Sequence, residues 1–113
     1  MTVIAIVNID IPDIEAYKNS GYLEEAGRTV AKYGGTYLVR AGNTQVIEGD
    51  PKPARVVLIE FDSLQDFKNW YDSKEYAPWK KVRHNLAKND MFVVEALDEK
   101  DRGEIRSANR TSP

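Results

Sequence analysis

Trp70-Tyr71-Asp72-Ser73-Lys74-Glu75-Tyr76 sets the reading of this chain, with three large aromatics in seven residues around an Asp-Ser pair. Aromatic side chains bury much area at little rotamer entropy, so a local cluster marks a core corner or a pocket wall. The Asp-Ser pair has the composition of a helix break. Upstream, Ser63-Leu64-Gln65-Asp66 has the form of a capping box with Asp in place of Glu. Leu64, Phe67, Trp70 and Tyr71 then fall on one helical face. Downstream, Ser73 can cap a second helical piece in which Trp79, Val82 and Leu86 share a face. On either side of this broken helix lie two apolar, strand-like runs, Arg55 to Phe61 and Met91 to Ala96.

The first half of the chain repeats that order. Thr2 to Ile9 is β-branched and apolar and reads as a strand, closed by Asp10-Ile11-Pro12-Asp13. Residues 14–33 are helical in composition, divided at Ser20-Gly21, and Leu23, Ala26, Val30 and Tyr33 give one apolar face. Gly34-Gly35 stops the helix. Thr36 to Arg40 is a second strand, Gly42-Asn43 is turn chemistry, and Thr44 to Glu48 reads as a short returning segment. Gly49 to Pro53 is a loop, because two prolines so close cannot sit in a central strand. The order β-α-β-β-α-β is that of a ferredoxin-like α+β sandwich with an antiparallel sheet. It spans residues 1–97 as one domain. Residues 98–113 differ in kind, with Ile105 as the only large apolar residue, and are expected to form a flexible polar tail.

The chain has 113 residues, enough for one ordinary core. Hydrophobic content of 42% with 30% charged residues places it among soluble globular domains. The net charge of −2 supplies no basic footprint for nucleic acid and no attraction to an anionic membrane. Cysteine is absent, which excludes disulfides, thiolate nucleophiles and zinc ribbons. The apolar run Val3 to Val7 is too short for a signal peptide or a membrane span, so the default reading is cytoplasmic.

Alternation in the strands predicts a partner. In this fold both helices cover one face of the sheet, and the other face should look polar. Here the first strand puts Val3, Ala5, Val7 and Ile9 on one side and Ile4 and Ile6 on the other. The third divides Val57, Ile59 and Phe61 from Val56 and Leu58, and the fourth divides Met91 and Val93 from Phe92, Val94 and Ala96. Whichever face the helices cover, about five apolar side chains stay open, at about 1.5–3 kcal/mol each when buried. A patch worth on the order of ten kcal/mol calls for a partner, and two sheets packed face to face in a homodimer would supply it.

These residues also carry a likeness. The chain resembles the bacterial domain-of-unknown-function 1330 family, within the dimeric α/β-barrel superfamily. The matching features are Tyr33 to Arg40, Val46 to Asp50, Arg55 to Ser63 and Trp70 to Tyr76, and the likeness covers Val3 to Leu97. It implies a ferredoxin-like protomer in a sheet-packed dimer. Relatives in the wider superfamily include cofactor-free monooxygenases, muconolactone-isomerase-like enzymes and haem-dependent enzymes, whose ligands sit between sheet and helices. Fold does not fix function, so this is analogy.

Candidate site residues follow from both readings. Arg40 and Arg55, at strand ends, can hold a carboxylate or enolate bidentately, or pair internally with Glu48 or Glu60. Glu60, inside an apolar strand, is the candidate base if it faces a cavity. Tyr37, Trp70, Tyr71 and Tyr76 can line an apolar pocket with polar tips, or simply pack. His84, the only histidine, reads as a solvated helix-end residue, and a haem reading would rest on it alone. Ser73 reads as a cap and not a nucleophile, and no residue spacing marks a metal or a phosphate loop. The expected function is binding of a small, partly apolar, oxygenated or carboxylated molecule, with no cofactor. It extends to cofactor-free isomerisation or oxygenation if the protein is an enzyme. The alternative is a non-catalytic binding or assembly module with a filled core.

Overall fold

The computed structural model describes residues 1–98 and 100–103. Its elements run β1 (Val3–Asp10), α1 (Ile14–Asn19), α2 (Tyr22–Lys32), β2 (Thr36–Arg40), β3 (Arg55–Phe61), α3 (Leu64–Tyr71), α4 (Ala77–Leu86) and β4 (Lys88–Glu95). The four strands form one sheet in the order β2-β3-β1-β4, all neighbours antiparallel. This is the α+β, ferredoxin-like architecture, with each helical unit split into two pieces. Most of the expected tail lies outside the described residues, and residues 100–103 are helical.

The sheet's register fixes its two faces. Val3 opposes Phe61, Ala5 opposes Ile59 and Val7 opposes Val57. All six are buried under the helices with Ile9, Val30, Phe67 and Trp70. Side chains alternate along a strand, so Ile4, Ile6, Val56, Leu58, Phe92 and Val94 take the opposite face. There Ile6 lies between Leu58 and Phe92. Phe92 is 60% exposed and Val94 46%, so the apolar second face is open in the protomer.

Local chemistry explains the element ends. Gly34 takes φ +80°, the left-handed conformation that stops α2. At Gly35 a Cβ would lie 2.7 Å from Val30 Cγ1 and 2.8 Å from Phe61 Cζ, so only glycine lets the chain turn against the core there. Ser63 Oγ accepts from the Asp66 N–H at 3.0 Å and caps α3.

Two expectations are corrected. Thr44 to Glu48 forms no strand, and residues 41–54 are one long connection between β2 and β3. The Asn8 amide fastens its far end, accepting from the Ala54 N–H at 2.8 Å and donating to the Lys52 carbonyl at 3.1 Å. Strand β4 begins at Lys88, not Met91, because its ladder with β1 starts at the Asp10–Lys88 pair. Asn89 and Asp90 have poor strand propensity, and the ladder overrides it.

Candidate functional site

Two serines build the site. Ser20 Oγ donates to the Tyr17 carbonyl at 2.6 Å and accepts from the Tyr22 N–H at 3.2 Å. Ser73 Oγ does the same in the second half, donating to the Trp70 carbonyl at 2.8 Å and accepting from the Tyr76 N–H at 3.1 Å. Each hydroxyl satisfies backbone groups that a helix end leaves open, and so breaks its helix. Each break turns a tyrosine inward. The Tyr22 and Tyr76 hydroxyls meet at 2.6 Å, both buried. Trp70 lies against Tyr76 with ring centroids 4.2 Å apart, its Nε1 donating to Thr29 Oγ1 at 3.0 Å.

Above them, between sheet and helices, is a narrow pocket. Its walls are apolar, from Val7, Ile9, Val57, Ile59, Trp70 and Met91. Its polar tips are Tyr17, Tyr22, Tyr37, Tyr76, Arg40, Arg55 and Arg83. The free space wide enough for a water molecule is about 20 Å³, room for about one water. Three arginines are thus among the lining residues, and no carboxylate is. Among the described residues the ion pairs are Arg28–Glu25 and Lys32–Glu75, and neither involves a pocket arginine. The internal pairing of Arg40 or Arg55 with Glu48 or Glu60 does not form.

Arg83 is the most telling of the three. It is 1% exposed. Its Nε donates to the Tyr76 hydroxyl at 3.2 Å, and its Nη2 has no partner. The guanidinium stays charged in a protein interior. Burial works against that charge, and Tyr76 and Tyr22 outweigh it, leaving the pKa above its ordinary value. The Tyr17 hydroxyl is also buried without a partner. Burial pushes its pKa up to about 12, against the pull of Arg55 and Arg83. Burial likewise raises Tyr22, helped by Tyr76, and raises Tyr37. Tyr17, Tyr22 and Tyr37 are thus neutral donors at neutral pH. Among the described residues the buried side-chain polar atoms without a partner are Arg83 Nη2, the Tyr17 hydroxyl and Asn89 Oδ1, so two of the three belong to residues that line this pocket.

The rim depends on a β-bulge. In an unbroken strand, residues three apart point to opposite faces. Between Tyr37 and Val39 the register slips, so Tyr37 opposes Ile59 and Arg40 opposes Val57, both on the pocket face. Arg40 then lies 4.3 Å from the Tyr37 ring centroid and donates to the Leu23 carbonyl. Arg55, at the start of β3, sits 5.9 Å from the Tyr17 ring centroid.

Of the residues singled out in the sequence, Tyr37, Arg40, Arg55, Trp70 and Tyr76 line this pocket. Glu60 and Tyr71 do not. Glu60 lies between Ile59 and Phe61 and opposes Ile4 on the outer face, so alternation turns it away from the cavity where a base would act. Tyr71 stacks on Phe67 at 5.7 Å and carries Lys80 over its ring, half-buried against the core. His84 is exposed on α4, its pKa lowered by desolvation and by Arg83 and Lys80. Arg83, Tyr17 and Tyr22 were not singled out. The signal for Arg83 was its place in the stripe Tyr76, Trp79, Arg83, Leu86, an arginine at apolar helical spacing. Among the described residues no cluster of His, Asp or Glu is placed to hold a metal, and no helix is long and apolar enough to cross a membrane.

The family described as a domain of unknown function (DUF1330) matches residues 2–97. The chain belongs to this family. Among solved structures it is similar to the RPA0582 protein of unknown function from Rhodopseudomonas palustris. The TM-score is 0.68 at 18% identity, over 86% of this chain and 83% of that one. A dimeric protein of unknown function and ferredoxin-like fold from Bacteroides fragilis matches with TM-score 0.58 at 16% identity, over 84% and 96%. SnoaB, a cofactor-independent oxygenase from Streptomyces nogalater, matches in a mutant form with TM-score 0.55 at 12% identity, over 86% and 94%. At these identities the likeness shows the fold. No curated protein matches the sequence.

Proposed function

We propose that this DUF1330 protein is a homodimer that binds a small, partly apolar oxyanion, a carboxylate or an enolate, between its sheet and its helices. One observation carries the reading. Arg83 is a buried cation with no carboxylate partner and an unpartnered Nη2. A buried charge with no carboxylate beside it is costly; the Tyr76 hydroxyl meets it at Nε alone, and an anionic ligand would remove the remaining penalty. Donors prevail in the lining. Arg83 Nη2 and the Tyr17 hydroxyl stand free, and the Tyr22–Tyr76 pair has two hydroxyl protons for one shared contact.

A guanidinium aimed at an enol oxygen stabilises the enolate, the species through which cofactor-free oxygenation and isomerisation proceed. SnoaB is described as a cofactor-independent oxygenase. The lining here offers no carboxylate or imidazole to take a proton, so it supports oxyanion binding more directly than proton abstraction. The open apolar face supports the dimer, and the Bacteroides fragilis neighbour is described as dimeric.

The narrow free space favours a second reading, a packed module that takes no ligand. One titration separates the two. Benzoate, a small apolar carboxylate, is added to the wild type and to Arg83→Met while heat release is followed. Rim side chains such as Arg40 and Tyr37 stand on an edge strand and can rotate to admit it. Binding by the wild type, weakened about tenfold or more in Arg83→Met as for a charge-assisted hydrogen bond, supports the pocket. A wild type that binds no benzoate supports the packed module.

A further inference from the structure

The deep arginine satisfies one anion, and the pocket has two more guanidiniums at its rim. We propose that the natural ligand is a dianion, with one oxyanion on Arg83 and Tyr17 and a second on Arg55 and Arg40, joined by a short apolar segment. The inference rests on the oxyanion reading above and specifies the ligand's class.

Charge comes first. The lining holds three guanidiniums and no carboxylate. A monoanion would leave two of the three charges uncompensated, and a dianion leaves one, at the water-facing rim.

Placement comes second. Arg40 opposes Val57, and Arg55 lies two residues before Val57 on the same face, opposite Ile9. The two arginines are thus diagonal neighbours on adjacent strands, about 7–8 Å apart at the backbone and within mutual reach. Like charges so placed repel, and among the described residues no ion pair relieves them. Arg40 reaches this face only because of the bulge after Tyr37. A bulge that re-aims a side chain beside a cavity is a functional device more often than a defect.

The third point is the link between the two ends. The Tyr17 hydroxyl, buried and without a partner, feels both Arg55 and Arg83. The Tyr17 ring lies 5.9 Å from the Arg55 guanidinium, and Tyr17 shares the pocket lining with Arg83. The wall beside it is Val57, Ile59 and Met91, which suits carbon and not a second polar group.

Four probes measure the spacing: benzoate, phthalate, isophthalate and terephthalate, titrated into the full chain by calorimetry. At least one dicarboxylate is expected to bind about tenfold tighter than benzoate, the size of one charge-assisted contact. Arg55→Met and Arg40→Met, both at the rim, remove that advantage, weakening the dicarboxylate about tenfold more than they weaken benzoate. Arg28→Met, a control on the exposed side of α2, leaves the advantage intact. Thermal melts verify that each variant is folded. A dicarboxylate that binds no tighter than benzoate overturns the dianion while the oxyanion pocket stands. An advantage that survives both rim substitutions overturns it as well. Failure of all four probes to bind the wild type overturns the pocket itself.

Discussion

The two faces of the sheet invert the usual arrangement. The face under the helices, closed to water, holds the buried guanidinium of Arg83 and the unpartnered hydroxyl of Tyr17. The face open to water presents Ile4, Ile6, Val56, Leu58, Phe92 and Val94. Burial normally sorts these groups the other way. Each face is therefore incomplete in the protomer, and in complementary ways. The closed face lacks a negative charge and the open face lacks an apolar cover. On the function proposed above, the two deficits call for different partners, a small anion within and a second copy without.

The strongest way to break the comparison is a charge on the open face. Ile6→Asp places a carboxylate between Leu58 and Phe92. Against a packed sheet it costs about 3–5 kcal/mol as an uncompensated buried charge, a weakening of the dimer by about a hundredfold or more. Light scattering at micromolar concentration should show a dimer for the wild type and a folded monomer for the variant. An unchanged mass would mean that the face is free surface.

A smaller effect sharpens the inner face. Tyr17→Phe deletes a hydroxyl that is desolvated and unpartnered. The ligand-free protein should gain about 1 kcal/mol, read as a higher urea midpoint, while benzoate affinity falls. A loss of stability would mean that the hydroxyl has a partner in solution.

The smallest effect concerns the clasp at the helix joint. Glu75 accepts from Lys32 Nζ at 2.6 Å and from the Tyr33 hydroxyl at 2.7 Å. These bonds hold its pKa at about 2, below the ordinary 4.5, and raise those of Lys32 and Tyr33. A depressed carboxylate pKa contributes stability that is complete above the unfolded value and lost as pH falls through the folded one. The contribution should fade between about pH 4.5 and 2, and Glu75→Gln should remove that part of the acid slope. An identical slope in the variant would mean that the clasp is loose in solution.

Much of this was legible in the sequence. Alternation in β1 and β3 sorted the faces, because period two is unambiguous when one side is apolar throughout. Ser73, read as the cap of the second helical piece, bonds the Tyr76 N–H in the turn before it, while α4 itself opens at Tyr76 with no side-chain cap. The site was legible only in part. Glu60 is a candidate base only if its face meets a cavity; alternation puts it with Val56 and Leu58, yet with two apolar faces the sequence does not say which set the helices cover. The bulge at Leu38 has no sequence signature here, and without it Tyr37 and Arg40 could not be assigned to one side. Arg83 was hidden by its neighbours, since Lys80, Lys81 and His84 make that helix look uniformly basic. Only the register of the apolar stripe picks it out.

The central claim is that Arg83 serves a ligand and not the fold. Urea unfolding of the ligand-free wild type and Arg83→Met, run side by side, tests it most directly. Methionine keeps the volume and removes the buried charge. If the arginine awaits an anion, the variant should be as stable as the wild type or more stable by about 1–3 kcal/mol. If instead Arg83→Met loses about 2 kcal/mol or more, the guanidinium is a working member of the core, and the account of the pocket is wrong.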